Sequence, residues 1–165
     1  MKIKNVMIFF LVLAGLFSLM WWGKPTQTSA PQSEAIGKSI LTTTEKIYDF
    51  GTISMTKGQV NKTFRVVNPT NKDLELESIV TSCMCTTAYL ESVNGEKGPF
   101  GMPGHGGPVA KVNEVIRAGE SRDIKVVYDP NAHGPAGIGS VDRFVYLTEA
   151  SGGTLELEIK AVVTP

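Results

Sequence analysis

Ser82-Cys83-Met84-Cys85-Thr86 is the stretch of this chain whose residue types and spacing most suggest chemistry, and it holds both of the cysteines. Read as an extended strand, residues two apart point to one face, so the two sulfurs project together. Three chemistries are open to such a pair. The thiols could stay reduced and pack as small apolar groups. They could join as a Cys83–Cys85 disulfide, whose very small ring and strand-like Cα separation near the upper geometric limit imply strain and easy reduction. Or the thiolates could chelate a soft ion such as Cu(I) or Zn(II). In an extended segment Met84 points away from both sulfurs, so further ligands must come from elsewhere. Met102, His105 and His133 are the candidates, carried by two glycine- and proline-rich segments at 98–108 and 131–140. Cys83, Cys85, Met102, His105 and His133 are therefore the expected metal-ligating set, with Cu(I) as the implied cofactor if there is one.

A nucleophilic reading exists on paper: Cys85 with His105 or His133 as base and Asp129 as orienter. No motif ties these residues together, and the chain is expected not to be an enzyme, with no catalytic residues. Neither glycine-rich segment ends in Gly-Lys-Ser/Thr or opens a helix, which removes a phosphate loop. Long loops of this kind inside a compact domain are functional or mobile.

The elements that must position these residues read as strands. Val60 to Asn68 ends in a turn with Pro69 in its middle. Leu74 to Glu77 alternates apolar and charged residues, as a half-buried strand does. Asp123 to Tyr128 sets Ile124, Val126 and Tyr128 on one face before Asp129-Pro130 breaks it. Arg143 to Thr148, then Ser151-Gly152-Gly153, then Thr154 to Lys160 reads as a hairpin with Leu155, Leu157 and Ile159 facing in. No stretch after residue 23 has helical periodicity. About seven short strands in about 125 residues is the β-sandwich expectation.

Composition narrows the function classes. The 165 residues carry 16 basic and 16 acidic side chains, so there is no net field for phosphate and nucleic acid is not an expected partner. With 42% hydrophobic and 19% charged residues the chain is not disordered throughout. Lys2 and Lys4 precede Val6 to Trp22, which has no charge and as a helix would be about 25 Å long. That is the short end of a membrane span, with Trp21 and Trp22 at the interface and the N-terminus cytoplasmic. Residues 1–23 are thus expected to be a membrane anchor, 24–39 a flexible tether, and 40–165 a β-domain on the far side of the cell membrane. Cleavage as a signal peptide, leaving a secreted domain, is the alternative. Pro31 after Thr28-Ser29-Ala30 argues against it, and a buried core helix fits the lysine-led pattern less well.

A family resemblance is carried by Tyr48-Asp49-Phe50-Gly51-Thr52-Ile53, Gly58, Val60, Phe64, Asn68, Leu74, Ile79 and the Ser82 to Thr86 motif. Ile116 to Glu120, Val127-Tyr128-Asp129-Pro130 and the final hairpin extend it from Tyr48 to Val163. The chain resembles the bacterial domain-of-unknown-function family 1573, with its Phe-Gly and Ser-Cys-Gly-Cys-Thr motifs. The resemblance implies an immunoglobulin-like β-sandwich exported to the cell envelope, with no established activity. Met84 stands where the family usually has glycine, which questions whether the same backbone geometry is kept.

Two functions follow. One is a membrane-anchored binding or structural module that holds an unidentified envelope protein. The other is a Cys-X-Cys thiol site for Cu(I) binding or redox exchange. Convergence of the loops on the cysteines separates the two.

Overall fold

The computed structural model describes residues 37–104 and 111–165. The expected membrane segment, most of the expected tether and His105 lie outside the described residues. Among the described residues no helix is long and apolar enough to cross a membrane.

The described residues form eleven strands where about seven were expected: β1 Gly37–Lys38, β2 Thr42–Thr43, β3 Ile47–Ser54, β4 Val60–Val67, β5 Leu74–Thr81, β6 Thr86–Ser92, β7 Gly95–Phe100, β8 Lys111–Ile116, β9 Ser121–Tyr128, β10 Gly139–Glu149 and β11 Gly153–Thr164. Two of them are only two residues long. β7 hides in the sequence because Gly98 and Pro99 interrupt it, which an edge strand tolerates. So the first glycine-rich segment is in part a strand.

The strands make two sheets, one ordered β1-β11-β10-β5-β8 with β3 also on β11, the other β2-β4-β9-β6-β7. The expected hairpin is β10 with β11, running from Thr148 opposite Thr154 to Gly139 opposite Val163. Alternation sets the core. Leu76, Val145, Leu147, Leu157 and Ile159 of one sheet and Phe64, Leu90, Ile124, Val126 and Tyr128 of the other are all buried in one cluster. Each such side chain contributes about 1.5–3 kcal/mol on leaving water.

Among the described residues, three buried charges, Glu149, Glu114 and Arg122, also sit at inward-facing strand positions. Glu149, 1% exposed, accepts from the Ile40 and Leu41 N–H groups at 2.8 and 3.0 Å and from the Ser39 and Ser151 hydroxyls. It thereby fastens the segment between β1 and β2 to the hairpin end of the sandwich. Glu114 on β8 takes Arg122 Nε of β9 at 2.8 Å, Lys97 Nζ of β7 at 2.8 Å and the Ser92 hydroxyl, so it latches the two sheets at their edge. Burial alone would raise both carboxyls. The donors around them outweigh it and hold both below the usual carboxylate range.

At the other end, three crossovers between the sheets leave side by side: residues 55–59, 82–85 and 129–138. Asn131 Nδ2 donates to Met55 O at 2.8 Å and ties two of them together.

Candidate functional site

The Cys-X-Cys segment is a turn at this crossover end, and not a continuation of β5 in extended form. Thr86 N–H donates to Cys83 O at 3.1 Å, which closes the chain on itself between β5 and β6. Neighbouring elements hold the turn by its backbone. Ser82 N–H donates to Phe144 O at 2.9 Å, Phe144 N–H returns to Ser82 Oγ at 2.9 Å, and Asp129 N–H donates to Cys85 O at 2.9 Å. Thr81 Oγ1 reaches both Cys83 O and Thr86 O at 3.0 Å. The geometry therefore corrects the strand expectation. The Cα atoms of Cys83 and Cys85 are 5.2 Å apart, well inside the range that a disulfide spans, because the turn shortens the separation. The two sulfurs are at disulfide distance. Met84 is exposed in this turn, and its φ is not positive, so the position does not require the glycine of the resembled family.

Each sulfur has a polar partner of its own. His133 Nε2 lies 3.1 Å from Cys83 Sγ, and Arg143 Nε donates to Cys85 Sγ at 3.2 Å. Cys85 N–H also donates to Cys83 Sγ at 3.2 Å. Cys85 is 3% exposed and part of the core, Cys83 is half-buried against it, and His133 is exposed on the rim. The local sequence explains how His133 gets there. Asp129 Oδ1 caps Asn131 N–H at 2.8 Å and Gly134 N–H donates to Asn131 O at 2.9 Å, so the 129–138 crossover folds back as tight turns over the cysteines. Below the turn, burial pushes the Tyr128 phenol up, with Arg143 partly opposing it.

Of the five expected ligands, Cys83, Cys85 and His133 come together, with their ligand atoms within 4.8 Å of one another. Met102 is half-buried and follows Gly101, whose carbonyl accepts the Thr81 N–H at 3.2 Å, so its segment sets out from the cysteine end. His105 lies outside the described residues. Asp129 is engaged with Asn131 N–H and Gln59 Nε2, which leaves it serving the turn and not orienting a histidine. Arg143 was missed by the sequence reading. It shares the inward parity of Val145 and Leu147 on β10, and a cation at a core-facing position was the signal.

Residues 41–100 match a family described as a protein of unknown function, DUF1573. The DUF1573 match covers the Phe-Gly segment, the Cys-X-Cys turn and β7, and ends before the later motifs of the resemblance. Comparison with curated proteins gives no match. Among solved structures, a protein of unknown function from Porphyromonas gingivalis W83 is similar at 15% identity and a TM-score of 0.53, over 81% of this chain and 51% of that one. A family 123 glycoside hydrolase from Clostridium perfringens is similar at 4% identity and a TM-score of 0.50, over 72% of this chain and 22% of that one. The chain thus spans about half of the first and under a quarter of the second. At these identities the likeness is one of fold.

Proposed function

We propose that this chain is a membrane-anchored, exported immunoglobulin-like module of the bacterial envelope that works as a dithiol–disulfide couple at Cys83 and Cys85. Two antiparallel-rich sheets joined by crossovers support the immunoglobulin-like description. The lysine-led apolar segment at residues 6–22 supports the location. The observation that carries the redox reading is the separate polar partner of each sulfur: His133 Nε2 on Cys83 and Arg143 Nε on Cys85. A guanidinium beside a sulfur favours its thiolate, so Cys85 is the better leaving group. Attack by the thiolate of a partner dithiol on the more accessible Cys83 sulfur breaks the S–S bond and sends the electron pair to Cys85. The partner's second thiolate then displaces Cys83. Two electrons and two protons have moved, and the partner departs as its own disulfide.

A second reading keeps the disulfide as a fixed staple in a module that binds an envelope protein through its sheets or loops. The burial of Cys85 in the core favours it.

The deciding experiment equilibrates the full chain with glutathione buffers of graded ratio, then counts free thiols by maleimide mass tagging. Two thiols appearing together within the range of the buffers support the redox couple. A pair still oxidised in the most reducing buffer removes it and leaves the staple. A membrane-impermeant maleimide applied to spheroplasts checks the location: thiols that label only after lysis would place the domain in the cytoplasm.

A further inference from the structure

We propose that, once reduced, Cys83, Cys85 and His133 form a three-coordinate site for monovalent copper. This rests on the redox reading, because the two thiolates exist only after the disulfide has opened. A dithiol partner supplies the two electrons and two protons, and a cuprous ion then replaces those protons as it binds.

The ligand set, its geometry and its charge point to the same ion. Two sulfurs and one imidazole are soft and intermediate donors, the set that suits copper in its lower state or zinc. Metal–ligand bonds of about 2.0–2.3 Å put the donors of a trigonal centre roughly 3.7 Å apart. The three ligand atoms here lie within 4.8 Å of one another, and opening the S–S bond lets the sulfurs separate toward that spacing. Zinc asks for a fourth donor, which here would be a water, since among the described residues no further histidine, cysteine or carboxylate joins this group.

Charge decides between the two ions. Two thiolates around Cu(I) leave one negative charge, and the Arg143 guanidinium, 3.2 Å from Cys85 Sγ, is placed to offset it. The same thiolates around Zn(II) make a neutral centre, beside which Arg143 stands unbalanced. Exposure adds directionality: Cys85 is sealed in the core and His133 sits at the rim, so the ion is reached from the histidine side. An exposed ligand is the one a partner displaces first, which suits transfer over permanent storage.

The test is an anaerobic competition for Cu(I) against a chromophoric chelator, with the full chain kept reduced by a phosphine. Wild type is expected to take one copper per chain and the Cys83→Ser, Cys85→Ser double variant none. His133→Ala, a change on an exposed loop that leaves the fold intact, should weaken binding by roughly tenfold or more. Arg143→Met should narrow the preference for Cu(I) over Zn(II). Thiol counts on these samples, set beside the glutathione equilibration described above, separate the two failures. No reduction by glutathione defeats the redox couple, whereas two free thiols that leave copper with the chelator overturn the copper site alone. Unchanged affinity in His133→Ala, or loss on His105→Ala or Met102→Ala instead, also overturns the ligand set proposed here.

Discussion

The inward face of β10 carries a charge toward each end, and the two are treated differently. Toward the hairpin, Glu149 is sealed, with two backbone N–H groups and two hydroxyls filling its acceptor positions. Toward the crossovers, Arg143 spends one N–H on its neighbour Asp142 O and another on a cysteine sulfur, under a loop that carries an exposed histidine. A buried carboxylate with every partner supplied by its own fold is a structural device. A half-buried cation set against a sulfur pair has a partner whose state can change. The contrast teaches where to look among the described residues: at the core-facing charge whose partners are not all backbone and hydroxyl groups.

The largest expected effect breaks the sealed end. Glu149→Ala strands the donors that converge on the carboxylate and should cost about 3 kcal/mol or more in urea unfolding. Gly153→Ala comes next, because a Cβ there would lie 2.9 Å from Glu149 Oε2 and 3.1 Å from Lys38 O. Overpacking of that kind costs about 1–3 kcal/mol, read in the same unfolding curves.

The third expectation concerns acid. Glu149 and Glu114 hold pKa values below those of the unfolded chain, so their stabilisation is complete above the unfolded carboxylate range. It is lost as pH falls through the folded values. Stability followed by fluorescence from pH 7 to pH 2 should therefore drop below about pH 4, and less steeply in Glu149→Gln.

At the open end the order of stability and reactivity reverses. Arg143→Met should change stability by less than about 1 kcal/mol, yet slow iodoacetamide alkylation of Cys85 in a Cys83→Ser background. An equal rate in both proteins would make Arg143 a packing residue only. The smallest stability effect belongs to His133→Ala, within about 0.5 kcal/mol, since the side chain is exposed.

Much of this was legible beforehand. The β10–β11 hairpin announced itself through Leu155, Leu157 and Ile159 and the Ser-Gly-Gly turn, because strict alternation has one solution on a half-buried sheet. β7 and the turn at 82–85 were not legible. Gly98 and Pro99 disguise an edge strand, and the turn depends on bonds from Phe144 and Asp129, far along the chain. Cys83, Cys85 and His133 could be named from residue type, but only the folding of residues 129–138 unites them. Arg143, Glu149, Glu114 and Arg122 all stood at core parity in readable strands. A charge in that register asks for a partner, and the question was answerable only in three dimensions.

The clamp that Glu149 places on Ser39–Leu41 also fixes where the first described strand lies relative to the cysteines. β1 lies along the first two residues of β11, while the cysteine turn is level with Arg143 and Ile159, six residues on, or roughly 20 Å away at 3.3 Å per residue. The first described residues are thereby pinned at the hairpin pole of the sandwich. The sulfurs lie toward the opposite pole, so the Glu149 clamp and the cysteine turn can be altered independently, one at each end of the same hairpin.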